Sequence, residues 1–236
     1  MDADAAGNIW IEAWLSILLR PRATIRRIID ADPRKFAVGI AFVAGVLAAL
    51  TPASKTLAPH LSGIHPWTSA NSLISAASAA APPIFGFANM NIAAFYLTGY
   101  LSSATGAVIS GGLNIVTLYL LGALFRWSGA MLGGAADAVQ VRAALAWAQA
   151  PEIYLMITGM VVAALGLAAR SDIRTAAGIV TLWAFVISLK CLGEVHGFSA
   201  WRALGAVILG LLAVMLVLVA VMITVHLAIT AGRALA

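Results

Sequence analysis

Residues 203–232 read ALGAVILGLLAVMLVLVAVMITVHLAITAG, thirty positions between Arg202 and Arg233 with no formally charged side chain and one titratable group, His226. A helix that crosses a bilayer needs about 17 to 25 predominantly apolar residues, so this run crosses with length to spare. Charge is also absent between Lys35 and Lys55, Lys55 and Arg126, Glu152 and Arg170, and Arg174 and Lys190. The whole chain has 236 residues, 62% hydrophobic and 10% charged, against about a quarter charged in a soluble domain. A soluble globular fold is therefore excluded. Disorder is disfavoured by the apolar content and a coiled coil by the lack of charged flanking positions. The fold class that remains is all-α, a polytopic transmembrane helix bundle.

The formal charge is +5, yet six of the fourteen basic residues lie between Arg20 and Lys35. That clustering is a topology and anionic-lipid signal rather than a nucleic-acid footprint. Cys191 is the only cysteine, which rules out an intramolecular disulfide and a thiolate-rich metal site. Met1 to Asn8 is polar and acidic and the first long apolar run starts at Phe36, unlike a cleavable signal, so the first hydrophobic helix is expected to stay in the membrane. Arginines outnumber lysines eleven to three in an alanine-rich chain, a composition of GC-rich bacteria that points to the cell inner membrane.

Upstream of that run, Ile9, Trp10, Ala13, Trp14, Ile17 and Leu18 fall at helical spacing; Pro21 interrupts, and Ile25, Ile28 and Ile29 resume the pattern. With Arg20, Arg22, Arg26 and Arg27 alongside, residues 1–35 read as a cytoplasmic amphipathic segment lying in the interface plane. Its expected membrane-interface residues are Trp10, Trp14, Arg22, Arg26 and Arg27; the alternative is a helix packed on the soluble side of the membrane domain.

Residues 36–236 form the transmembrane domain, with spans expected at Phe36–Ser54, Ser102–Phe125, Pro151–Ala169, Thr175–Leu189 and Trp201–Ile229. The first has Pro52 in its last turn and ends near Leu50. Arg126 to Gln149 reads as a cytoplasmic connection with Asp137 as an N-cap, and Lys190 to Ser199 as a tight turn. Thr56 to Phe125 carries no charge over seventy residues, and Leu57–Leu101 within it either re-enters, spans as a sixth helix or lies outside. With five spans and a cytoplasmic N-terminus, ten basic residues face the cytoplasm against four outside; with six the split is nine to five. The positive-inside rule favours five.

Two hairpins share a pattern: each turns through glycine and restarts with a capping residue, then Arg-Ala and leucine, from Asp137 to Arg142-Ala143-Ala144-Leu145 and from Ser199 to Arg202-Ala203-Leu204. Further markers are Trp14, the segment Pro21-Arg22-Ala23-Thr24-Ile25-Arg26-Arg27-Ile28-Ile29 with Asp32-Pro33, Gly133-Gly134, Trp147, Pro151, Glu194, Gly197-Phe198-Ser199 and Trp201 before Arg202-Ala203-Leu204. On these residues the chain resembles the bacterial branch of the Yip1 family of polytopic membrane proteins. The resemblance implies an all-helical fold with five spans and a cytoplasmic N-terminus. Eukaryotic relatives act in vesicle formation and transport, with lipid-modified small GTPases and paralogues as partners. The eukaryotic Asp-Leu-Tyr-Gly-Pro-like segment is absent here, so the fold transfers better than the function.

Candidate functional polar residues are Glu152, Glu194, His196, Arg142 and Arg202. Glu152 stands at the mouth of a span, where an ionisable group is costly and often functional, or complements the helix dipole and pairs with Arg142 or Arg202. Glu194 and His196 crowd one turn with Lys190 and Arg202, either as a pH-sensitive pair or with Glu194 bridged to Lys190 or an arginine. His226 and Asn114 read as interhelical hydrogen-bonding groups, as do Asn89 and Asn91. The sequence shows no zinc, nucleophile-elbow or phosphate-loop motif, so no catalytic, cofactor-binding or metal-ligating residue is assigned and no cofactor is expected. The leading expectation is a non-enzymatic protein that organises or scaffolds membrane and partner proteins; the alternative is a transporter or channel for a small solute or lipid, gated by Glu152, Glu194 and His196. Expected partners are the lipid bilayer, anionic lipid included, and a second copy or other membrane proteins, but no nucleic acid.

Overall fold

A computed structural model describes residues 3–50, 104–165 and 171–234. Proline punctuates its first elements. Helix α1 spans Ala3–Leu19 and α2 spans Pro21–Ala31, with Pro21 at the first helical position, where its missing N–H leaves no bond unmade. Pro21, Thr24, Ile25 and Ile28 are the buried residues of α2, the spacing of one helical face. Phe36, at φ 64°, turns the chain into α3, Ala37–Leu50.

Among the described residues five more helices follow: α4, Ala104–Met131; α5, Ala138–Trp147; α6, Ala150–Ala164; α7, Ser171–His196; and α8, Ala200–Ala234. Among the described residues there is no strand. The chain is a multi-pass membrane protein. Segments 104–131, 138–162, 178–196 and 200–224 are long and apolar enough to cross a bilayer, whereas α3 and the apolar part of α1 are shorter.

Helix α5 stands at the centre and packs against α2, α3, α4 and α7. Every residue from Ala143 to Ala150 is buried. Its alanines let neighbours approach closely, the device that drives packing where hydrophobicity gives no preference between lipid and protein. The tightest crossing is α3 on α4, where a Cβ on Gly45 would stand 2.7 Å from Ser110 O and 2.9 Å from Gly111 Cα.

The α5–α6 break follows from Pro151, which has no N–H to offer a carbonyl one turn back. The last turn of α5 tightens instead: Gln149 N–H donates to Ala146 O at 3.0 Å. The Gln149 side chain is buried, and its Oε1 accepts from Asn114 Nδ2 at 3.2 Å, which also donates to Ala41 O at 2.6 Å. One amide thereby joins α3, α4 and the break.

Several boundaries differ from the sequence reading. Helix α4 runs six residues past Phe125, and the helix expected after the Asp137 cap within the Arg126–Gln149 connection is α5, which lies in the core of the bundle. Residues 171–174 and 190–196 are helical parts of α7 rather than loops. Charged residues at a helix end extend it into the polar zone, so the apolar run measures the span and not the helix. Leu57–Leu101, with Asn89 and Asn91, lies outside the described residues.

Candidate functional site

Helix α1 has three sides. Trp10 and Trp14, expected to face the headgroups, turn inward to the fully buried Trp147 of α5, with centroids 6.1 Å and 5.4 Å away. Trp14 also meets Tyr154 edge-on at 6.2 Å, Trp10 meets Phe36 at 5.4 Å, and Lys35 Nζ stands 5.0 Å from the Trp10 ring. At the other end of α1, Trp183 Nε1 donates to Leu18 O at 3.1 Å. The second side carries Ile11, Leu15 and Leu19, one per turn and 70%, 66% and 82% exposed. The third is polar: Glu12 and Ser16 border a crevice shared with Thr24 and Arg27 of α2, where Thr24 Oγ1 lies 2.9 Å from Ser16 Oγ. The exposed stripe of α1 is thus aliphatic, and the tryptophans clamp the helix to Trp147.

The arginines of α2 divide as well. Arg26 donates from Nε to Glu194 Oε1 at 2.8 Å and from Nη2 to the same oxygen, while Arg22 Nε stands 4.0 Å from Oε2. Arg27 and Arg20 are exposed. Glu194 therefore pairs with an arginine, but one from the far end of the chain; Lys190 lies instead over the Trp183 ring at 5.2 Å. Ile25 and Ile28, fully buried under the pair, contribute about 1.5–3 kcal/mol each. An ion pair with an exposed partner contributes about 0–1 kcal/mol. Apolar burial holds α2 down, and the Arg26–Glu194 contact fixes its register on α7.

The two hairpin turns are built alike. Gly133 and Gly197 take φ of 83° and 74°, open to glycine without strain. Around the first, Gly133 N–H bonds Ala130 O and Gly134 N–H bonds Gly129 O; around the second, Gly197 N–H bonds Glu194 O and Phe198 N–H bonds Gly193 O. Both α4 and α7 therefore end in a Schellman motif of the same register. Asp137 then caps α5 with a full capping box, its Oδ1 accepting from Val139 and Gln140 N–H while Gln140 Oε1 accepts from Asp137 N–H. Ser199 begins α8 with a longer contact, Arg202 N–H to Oγ at 3.4 Å.

The turns also interlock. The His196 ring is buried against Gly129 and Gly134, where any Cβ would overlap it, and stacks on Phe198 at 5.1 Å. His196 O accepts Ala135 N–H at 3.4 Å. The shared Arg-Ala signature does not carry a shared role: Arg142 donates to Ala138 O and lies 4.4 Å from the Tyr119 centroid, whereas Arg202 is exposed.

The remaining candidates are spread out. Glu152 is buried in the first turn of α6, beyond the far end of α5 from the turns, a helix length of about 15 Å. Cys191 is buried, with Sγ 4.0 Å from Pro21 O. Among the described residues no three His, Cys, Asp or Glu side chains gather as a metal site requires. Asn114 makes the expected interhelical bonds; His226 is exposed on α8 instead.

Sequence reasoning passed over Trp147 as the receiver of α1, Gln149 at the break and Gly129 as the seat of His196. The last had a signal: Gly129-x-x-x-Gly133 and Gly193-x-x-x-Gly197 repeat one spacing at the ends of two apolar helices.

No curated protein and no solved structure matches this chain. A model of the Yip1 domain does, over residues 15–222, a range that begins just after Trp14 and takes in the α2 arginines, both glycine turns and the break at Pro151. The chain belongs to the Yip1 family.

Proposed function

We propose that this protein is a non-enzymatic membrane organiser that wedges α1 into one leaflet and presents α2 and the two interlocked turns as a polar face for partner proteins, a second copy included. The positive charge of that face supports a cytoplasmic orientation, and the arginine- and alanine-rich composition supports a bacterial inner membrane. The observation that carries the reading is the three-sided build of α1. Its aliphatic stripe faces outward while Trp10 and Trp14 are clamped on Trp147. Trp10 also packs against Phe36, immediately before α3 begins, so α1 lies at the level where the chain enters the apolar bundle. A helix at that level inserts its apolar face about 5–10 Å into the headgroup region. Because the clamp fixes α1 to the bundle, the insertion cannot relax by lifting away, and it expands one leaflet.

Gating by Glu152, Glu194 and His196 would need the three to meet. Glu194 is engaged by Arg26, His196 is seated on glycine in the turn, and Glu152 stands past α5. This separation favours organisation over transport.

Full-length protein reconstituted into liposomes at rising density tests the reading. Vesicle diameter, by electron microscopy, is expected to fall with density for the wild type and to stay near the protein-free value for the triple variant Ile11→Ser, Leu15→Ser, Leu19→Ser. Equal remodelling by that variant, or by a chain lacking residues 1–30, overturns it.

A further inference from the structure

Between the start of α2 and the turn ends of α7 and α8 lies a cavity of about 450 Å³ bordered by Arg20, Pro21, Arg22, Ala23, Lys190 and Ala200. That volume is within the usual range for a small-ligand site, about 300–1,000 Å³. Three of the six bordering residues are cationic, and among the described residues Arg20 and Lys190 have no carboxylate partner. Arg22 shares its charge with Glu194 Oε2 at 4.0 Å. The α2 end that opens into the cavity has no side-chain cap, so its first-turn N–H groups add to the positive potential there.

The surroundings of the cavity are apolar and exposed. Leu19, next to Arg20, and Trp201, next to Ala200, are each 82% exposed, the largest exposures among the described large apolar side chains. Lys190 rests its ammonium over Trp183, itself 42% exposed on α7. Its charge is thus presented beside aromatic surface rather than out in water. A site for a free anion has no use for such flanks. Cations around an open cavity with aliphatic and indole side chains beside it match a phosphate joined to acyl chains.

We infer that this cavity is a headgroup site for an anionic phospholipid, with Arg20 and Lys190 holding the phosphate and Leu19 and Trp201 bordering the first segments of the acyl chains. The site rests on the membrane-organising reading, which sets α1 at the bilayer surface, and adds the lipid class to it. It also reassigns the anionic-lipid contact. Arg26 is committed to Glu194 and Arg27 faces the Thr24 crevice, leaving Arg20 and Lys190 for the lipid.

Native mass spectrometry of the full-length protein in detergent tests the inference, with phosphatidylglycerol, phosphatidylcholine and inorganic phosphate titrated in turn. Wild type is expected to retain one phosphatidylglycerol at least tenfold more strongly than phosphatidylcholine. The double variant Arg20→Gln, Lys190→Gln, whose side chains are not part of the core, is expected to lose that preference, and Arg27→Gln to keep it. Retention by the double variant, or equal loss in Arg27→Gln, overturns the site. Inorganic phosphate displacing the lipid at equal concentration overturns the lipid assignment. Wild-type preference for phosphatidylglycerol together with unchanged vesicle diameters would sink the organising reading while leaving the site in place.

Discussion

The two parts of α8 contrast sharply. From Ala203 to Gly210 it packs into the bundle, with Ala203, Ala206, Val207 and Gly210 buried and Gly210 set against Leu124 and Phe125 of α4. From Leu211 to Ile223 every large apolar side chain is exposed. Both parts are apolar, so hydropathy does not explain the difference. Lipid is as good a neighbour for leucine as another leucine is, and association within it depends on small residues and on polar contacts. The packed part has glycine and alanine where helices cross; the exposed part has leucine, valine and methionine. The same contrast runs through the molecule, between a turn end built on α5 and an opposite end whose apolar surface looks outward.

The largest expected break in that contrast is Trp147→Ala. It removes a fully buried indole and the platform that α1 rests on, for a loss of about 3–5 kcal/mol. Thermal unfolding in detergent measures the loss, and limited proteolysis should show cleavage within the first twenty residues before global unfolding. If the α1 region stays protected, the aromatic clamp is not what docks it.

Next in size is Gly129→Ala, whose new methyl group overlaps the His196 ring. Overpacking of this kind costs about 1–3 kcal/mol. Adding His196→Ala should return part of that loss, so the double variant is more stable than the sum of the single effects implies. Strict additivity would mean that the two hairpin turns do not lean on each other through this contact.

What the sequence disclosed and what it hid divide along physical lines. Local chemistry was readable: Pro21 splitting α1 from α2, Asp137 capping α5 and Pro151 opening α6 each act within a turn of their own position. Membrane spans were readable because charge is costly inside a bilayer and therefore scarce there. Partner choice was not. Trp10 and Trp14 carry the residue type of a headgroup contact, and nothing nearby announces that Trp147 will claim them. Glu194 had Lys190 one turn away on its own helix, yet its partner came from α2, because burial of Ile25 and Ile28 brings Arg26 alongside. The aliphatic stripe Ile11, Leu15, Leu19 has ideal helical spacing but borders an equally apolar face, so periodicity could not say which of the two packs inward and which stays exposed.

The matched turns offer a smaller and sharper comparison. Asp137→Ala removes the two hydrogen bonds that its carboxylate accepts in the capping box, for about 1 kcal/mol. Ser199→Ala removes one contact of 3.4 Å and is expected to cost less than half as much in the same unfolding measurement. Equal losses would mean that the turns differ in sequence but not in how strongly they are capped.

The smallest expected effect decides what the exposed part of α8 is. Leu216, 71% exposed, should tolerate alanine with a change within about 0.5 kcal/mol. Lengthening Ala206, buried on the same helix, to leucine should cost about 1–3 kcal/mol. The two substitutions change volume by similar amounts in opposite directions, so their ratio reads packing rather than hydrophobicity. A loss above about 1 kcal/mol at Leu216 would mean that its surface contacts protein and not lipid, because lipid chains refill the space of a deleted side chain and a helix partner does not. The contrast between the two parts of α8 would then separate two kinds of protein contact, and the exposed stretch would become the place to look for a second copy.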